Sequence, residues 1–205
     1  MPRIILSLLS GLAIGLAFGL SANSSCRLGL PLSGEQAEEE AQYRGQPARY
    51  WLRQLQDRNP ALRQQAMWAL ARLGPEPEHV RAVTEMLTDN NQGVRHGAAL
   101  NLGRMGPAAA SAVPQLLTAL RDEDQFVRTA VVCALGHICP QDDAVLAALG
   151  AALQDKSTMV RRRTLDTLAE IGPPARALLP AVQEALHDSE PEVRQAAGDA
   201  SAKIR

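Results

Sequence analysis

A short pattern recurs five times along most of this chain: an aspartate, four residues, an apolar residue and an arginine. The successive arginines are 32, 33, 33 and 33 residues apart. A near-constant period of this length predicts one supersecondary unit repeated along an axis, and not a single globular core. The residues concerned are Asp57 and Arg63, Asp89 and Arg95, Asp122 and Arg128, Asp155 and Arg161, and Asp188 and Arg194.

The residues around each arginine predict an amphipathic helix. Apolar residues stand at positions −1, +7 and +10 from the arginine, on one face of a helix, and Ser201 is the exception in the +7 column. Four residues before the arginines, at preferred or acceptable N-cap positions, stand Asn59, Asn91, Asp124, Ser157 and Glu190. Gly-Pro pairs end three of the helices, at 74–75, 106–107 and 172–173, and Cys139-Pro140 replaces the pair in the third repeat.

A further helical stretch precedes each of these helices. The stretches run over 48–56, 78–88, 113–121, 144–154 and 179–187. Each repeat is therefore a first helix, a short turn with the aspartate, and a second helix with the arginine. One such pair cannot bury its apolar face alone, so neighbouring pairs are expected to stack. We predict an all-α fold, an α-solenoid of about five helix pairs over residues 47–205.

The helix pair, the period near 33 and the Asp-x4-Val-Arg signature resemble HEAT repeats, specifically the short bacterial kind named after phycobilisome lyases. The resemblance implies that the aspartates and arginines pair between successive repeats as an internal ladder. In that interpretation all ten residues are structural. The alternative is that they form a charged recognition stripe. The resemblance says almost nothing about function, because binding proteins and enzymes both occur in this class.

The N-terminal residues predict a membrane-directed segment. Residues 4–20 are almost entirely apolar and follow Arg3, which suits either a cleaved signal peptide or a short membrane anchor within 1–24. Ala22-Asn23-Ser24 would serve as the cleavage site, whereas Gly11, Gly15 and Gly19 lie on one helical stripe and favour packing between membrane helices. Both alternatives place the array outside the cytoplasm, in the periplasm if the source is bacterial. Residues 25–46 are predicted to be a tether, largely disordered.

Charge and reactive residues exclude several function classes. The net charge is −1 and residues 47–205 carry no basic excess, so no nucleic-acid partner is predicted. The four histidines occupy unrelated repeat positions and no nucleophile motif is present, so no catalytic residue, metal or cofactor is predicted. Cys133 and Cys139 are interpreted as small core residues.

A candidate partner surface lies on the second helices, at positions +1, +5 and +9 from each arginine. One tryptophan among several arginines suits an unidentified protein partner, because these residue types recur at binding hot spots. In the other interpretation Trp68, Leu100 and Cys133 pack between repeats. The candidate residues are Gln64, Trp68, Arg72, His96, Arg104, His137, Arg162, Asp166 and Glu170. The sequence thus predicts a non-catalytic scaffold, with a lyase-like enzyme accessory that handles a cofactor or a modified protein as the alternative.

Overall fold

The computed structural model describes residues 41–205. The apolar segment 4–20, its glycines Gly11, Gly15 and Gly19, and the tether up to residue 40 lie outside the described residues. Within 41–205, every helix is too short or too polar to cross a bilayer.

Residues 48–205 form five helix pairs in the order that the repeat predicts. Within each repeat the two helices are joined at the turn that carries the aspartate. The pairs are α1 (Ala48–Gln54) and α2 (Pro60–Leu73), α3 (Pro77–Glu85) and α4 (Gln92–Met105), α5 (Val113–Ala119) and α6 (Gln125–Ile138), α7 (Asp143–Ala152) and α8 (Thr158–Ile171), and α9 (Leu179–Glu184) and α10 (Pro191–Ile204). Several first helices extend into, or follow, short 3-10 segments, at Met86–Thr88, Gly106–Ala112, Pro173–Leu178 and Ala185–His187.

The start of each second helix depends on its capping residue. The side chains of Asn59, Asn91 and Asp124 accept hydrogen bonds from backbone N–H groups of the first turn. These bonds satisfy donors that have no partner inside the helix. Ser157 was expected to do the same, but its hydroxyl donates instead to Gln125 Oε1 of the preceding repeat at 2.6 Å.

The second helices pack against one another in sequence order, α2 on α4, α4 on α6, α6 on α8 and α8 on α10. Their inner sides form the core with buried Leu, Val, Ala and Met side chains, including Met67, Leu102 and Leu135. Small residues set the spacing between neighbours. A Cβ added at Gly103 would lie 3.0 Å from the Ala134 backbone, and one at Gly136 would clash with Thr167 Cγ2.

A small β-hairpin precedes the first helix and was not predicted. Strands β1 (Gln42–Tyr43) and β2 (Gln46–Pro47) pair in antiparallel fashion. The two turn residues, Arg44 and Gly45, have φ angles of 52° and 71°, as the favoured two-residue hairpin turns require. The all-α prediction therefore missed the two short strands at Gln42–Tyr43 and Gln46–Pro47. Strands of two residues leave no periodicity for sequence analysis to detect.

The hairpin is held by aromatic packing. The Tyr43 ring lies 6.0 Å from the Trp51 ring and 5.4 Å from the Trp68 ring, measured between centroids. Trp51 itself is buried, whereas Trp68 is 37% exposed. The hairpin thus packs on an apolar part of the first helix pair.

Candidate functional site

The first candidate set, the arginines and aspartates of the repeat signature, forms ion pairs between neighbouring repeats. Each arginine directs Nε and Nη2 to the two carboxylate oxygens of the aspartate in the next repeat. The N···O distances are 2.7 to 3.0 Å, the geometry of a bidentate pair. The pairs are Arg63 with Asp89, Arg95 with Asp122, Arg128 with Asp155, and Arg161 with Asp188.

The six-residue spacing between aspartate and arginine has a direct structural reason. The remaining guanidinium nitrogen, Nη1, donates back to the main-chain carbonyl of the aspartate in its own repeat, as Arg128 does to Asp122 O at 2.8 Å. The aspartate side chain in turn accepts from the backbone N–H two residues later, as Asp122 does from Asp124 at 2.9 Å. Each turn is therefore held by its own arginine and by the arginine of the preceding repeat.

Burial opposes ionisation of these aspartates, and the arginines outweigh it. Desolvation alone would raise the pKa of Asp122, but hydrogen bonds from Arg95 and from the Asp124 N–H, together with nearby positive charge, hold it below its usual value. The same balance lowers the pKa of Asp89 and Asp155. At Asp188 the hydrogen bond from Arg161 is the largest cause and lowers the pKa to about 2. All four carboxylates are thus charged at neutral pH.

The ladder is open at both ends of the described chain. The Asp57 carboxylate accepts from the Asn59 N–H at 2.7 Å, but no arginine among residues 41–205 pairs with that carboxylate. Arg194 donates to the carbonyl oxygens of Asp188 and Ser189, and its other nitrogens meet no carboxylate within the same residues. The structure therefore brings together eight of the ten signature residues as ion pairs and leaves the first aspartate and the last arginine outside them.

The second candidate set lies on the outer side of the second helices. We call the residues at positions +1, +5 and +9 from each signature arginine the second-helix face. Trp68 and Leu100 are 37% and 43% exposed, and the Trp68 ring also packs against Tyr43 of the hairpin. Cys133, the corresponding residue of the third repeat, is half-buried. Arg72 lies over the Trp68 ring, with its Cζ 5.5 Å from the centroid.

The charged residues of this face divide into two halves. In repeats one and two, Arg72 and Arg104 are exposed and have no carboxylate within ion-pair distance among residues 41–205. In repeats three to five, two of the basic side chains lie near carboxylates. His137 lies 3.8 Å from Glu170, and Arg162 lies 3.7 Å from Asp166 and 3.3 Å from Glu192.

A cavity of about 330 Å³ opens in the first half of the face. Trp68 and Leu100 supply apolar walls, and His96 and Arg104 supply polar ones. Asn101 also lines it and is only 6% exposed. Its Nδ2 donates to Gly97 O at 2.8 Å, whereas its Oδ1 has no hydrogen-bond partner. A larger cavity, about 610 Å³, lies at the Arg95–Asp122 pair, whose charges are already bound to each other.

The remaining reactive residues are dispersed. His79 is buried and its Nδ1 lies 2.8 Å from Gly74 O, so it serves the turn after α2. Cys133 and Cys139 are half-buried, and Cys139, the C-cap residue of α6, packs against the core. Burial raises the pKa of the Cys133 thiol. Within residues 41–205 no three His, Cys, Asp or Glu side chains are grouped to hold a metal ion.

Comparison with known proteins places the chain among helical repeats. A family model described as HEAT repeats matches residues 48–135 and 146–205. The complex of CpcE and CpcF of phycocyanin lyase from Nostoc sp. PCC7120 is similar over 82% of this chain and 67% of that chain, at 25% identity and a TM-score of 0.65. A search of curated proteins found no match.

Two artificial proteins are similar in fold. A designed armadillo repeat protein in complex with the peptide (KR)4 matches at 18% identity and a TM-score of 0.57, over 76% of this chain and 80% of that chain. An engineered protein matches at 20% identity and a TM-score of 0.56, over 77% of this chain and 78% of that one. At these identities the likeness concerns the solenoid architecture alone.

Proposed function

Since the chain belongs to the HEAT-repeat family, we propose that it is a non-catalytic scaffold that binds another protein on its second-helix face. One observation carries the proposal: Trp68 and Leu100 are exposed on consecutive second helices, beside arginines that pair with no carboxylate of residues 41–205. Exposed aromatic and aliphatic side chains next to arginine are typical of the centres of protein interfaces.

The two candidate sets differ in what they can offer a partner. The ladder guanidinium groups that are paired bind a carboxylate and a main-chain carbonyl already, so an incoming ligand would have to break both. Arg72 and Arg104 require no such exchange. The ladder therefore holds neighbouring repeats in register, and the second-helix face is the surface available for recognition.

A site-specific photo-crosslinker tests this assignment in the full chain in its native cells. Placed at Gln64, on the face, it should yield a discrete adduct with one protein. Placed at Arg81, exposed on a first helix, it should not. Leu100→Ser should reduce the Gln64 adduct several-fold without lowering the melting temperature, because Leu100 is exposed. The same adducts from both sites would contradict the assignment.

A lyase-like accessory role is the second candidate. Its support is the 25% identity to a structure of the CpcE and CpcF complex of phycocyanin lyase, over most of this chain. Absorbance of a bound tetrapyrrole or iron in the purified full-length chain would favour this role over the scaffold. A colourless chain that still forms the Gln64 adduct would favour the scaffold.

Tethering to a membrane, or export, is the proposed localisation of the array. Its support is the apolar run at residues 4–20. The mass of the mature protein distinguishes the alternatives, since an intact N-terminus indicates an anchor and a start near Ser25 indicates a cleaved signal peptide. An intact chain that fractionates entirely with soluble cytoplasmic proteins would overturn the proposal.

A further inference from the structure

From the second-helix face we infer that the partner segment is an acidic peptide with an aliphatic side chain, which binds across repeats one and two. This inference rests on the proposed binding function and adds the chemistry of the ligand. It depends on three independent features of α2 and α4: unpaired positive charge, an apolar seat, and a buried acceptor without a donor.

The charge of this half of the face selects an acidic ligand. Arg72 and Arg104 stand at the same position of consecutive repeats, and the second-helix face carries no Asp or Glu in either repeat. Arginine is suited to binding carboxylates because its planar fork donates two parallel hydrogen bonds. The stacking of Arg72 on Trp68 holds one guanidinium in place before the ligand arrives. A basic segment would instead meet uncompensated like charge.

The apolar seat selects one aliphatic side chain. Trp68 and Leu100 face the cavity of about 330 Å³ from α2 and α4. Both are more than a third exposed, so a leucine-sized side chain placed there would remove apolar surface of three groups from water together. Arg104 lines the same cavity. An acidic residue next to the bound leucine in the segment therefore lies within reach of Arg104.

Asn101 gives the cavity one polar atom, Oδ1, that accepts no hydrogen bond from the described residues, although Nδ2 of the same amide donates to Gly97 O. Asn101 occupies a column in which three other repeats have alanine, at Ala69, Ala134 and Ala200. Alanine at those positions is fully or almost fully buried, so the column does not require an amide for packing. A buried carbonyl oxygen without a donor costs stability. A backbone N–H of a bound segment is the donor that would satisfy Oδ1.

The charge of repeats four and five restricts where on the face the segment binds. On the face of repeats four and five, Asp166, Glu170 and Asp199 outnumber Arg162 and Lys203. Arg162 lies near Asp166 and also near Glu192, which is beside the face. An acidic segment is repelled from repeats four and five. It is therefore confined to the N-terminal half, between α2 and α4.

The test uses the full chain and a short synthetic peptide in which one leucine is flanked by glutamates, labelled for fluorescence anisotropy. We expect saturable binding that weakens as salt is raised, because the contributing charges are exposed. Replacing the glutamates by lysine should abolish binding. Replacing the leucine by serine should weaken it by about tenfold, the equivalent of burying a small aliphatic group. Trp68 emission should change on binding, whereas buried Trp51 should contribute little.

Three variants locate the peptide. Arg104→Gln should weaken binding about threefold, as expected for one exposed ion pair, and Arg81→Gln on the first-helix side is the matched control and should leave it unchanged. Asn101→Ala should weaken binding by about fivefold, the value of one hydrogen bond, with an unchanged or higher melting temperature. A merely structural asparagine would lower the melting temperature and leave affinity unaltered.

Several results would overturn the inference. They are equal affinity for the lysine peptide, an affinity insensitive to Arg104→Gln, or tighter binding of a single-stranded oligonucleotide than of the acidic peptide. If the Gln64 crosslink forms but the acidic peptide does not bind, the ligand chemistry is wrong while the binding function stands. If neither occurs, both fail.

Discussion

Removing one carboxylate from the centre of the ladder tests whether the ion pairs hold the repeats together. In Asp122→Ala the guanidinium of Arg95 loses two hydrogen bonds, of 2.7 Å from Nε and 3.0 Å from Nη2. The turn also loses the bond from the Asp124 N–H at 2.9 Å. Both charged side chains are about nine-tenths buried, with 11% and 10% of their surface exposed.

The expected loss follows from burial. Leaving a buried charge without its partner costs about 3–5 kcal/mol. Arg95 keeps its hydrogen bond to Asp89 O and its contact with the exposed Glu123 carboxylate at 3.4 Å. Both contacts reduce the cost of leaving its charge buried. We therefore expect the free energy of unfolding to fall by about 3 kcal/mol, which lowers the melting temperature by roughly 6 to 12 °C in a chain of this size.

The first repeat offers a matched control. The Asp57 carboxylate accepts the same bond from a backbone N–H within its turn, at 2.7 Å, but pairs with no arginine among the described residues. Asp57→Ala should therefore cost only about 1 kcal/mol, the value of one turn hydrogen bond. Urea and thermal unfolding of the full chain, followed by circular dichroism, measure both variants. Equal losses for Asp57→Ala and Asp122→Ala would refute the ladder as the source of stability.

Two further predictions concern acid and helix spacing. Folding lowers the pKa of Asp188 to about 2. Its stabilising effect is therefore complete above about pH 4, where unfolded aspartate ionises, and is lost as pH falls towards 2. The melting temperature measured against pH should show this loss, and a flat profile would contradict it. Gly136→Ala should destabilise the protein by about 1–3 kcal/mol because the new Cβ meets buried Thr167, and Thr167→Ser should restore part of the loss. Gly198→Ala, with nothing within 4 Å of the new Cβ, should stabilise the protein by roughly 0.5–1 kcal/mol. Midpoints of urea unfolding compare the two variants, and changes of the same sign would be inconsistent with close packing of α6 on α8.

Local sequence signals were sufficient to predict most ends of the second helices. The N-caps Asn59, Asn91 and Asp124 begin three second helices close to where the sequence predicts. Glycines with positive φ at 74, 106 and 172 likewise end three of these helices. These signals act within one turn of helix, so they can be read without knowledge of neighbours. Ser157 shows the limit, because its hydroxyl is taken by Gln125 of the adjacent repeat.

The hairpin at 42–47 and the orphan amide of Asn101 could not have been predicted. The hairpin depends on Tyr43 packing against Trp51 and Trp68, which lie in two different helices. Asn101 is an ordinary surface-compatible residue in the sequence. Its significance comes from burial beside α2, which leaves one oxygen without a donor.

The sequence by itself determined the repeat, its register and the helix pair, because a 33-residue period and its caps act locally. Only the tertiary structure decided which arginine meets which aspartate, since the pairing joins residues 26 or 27 positions apart across two repeats. It also decided that Trp68 and Leu100 stay exposed. Exposure depends on how closely neighbouring helices approach, and that distance is set by packing between repeats and not by any one of them.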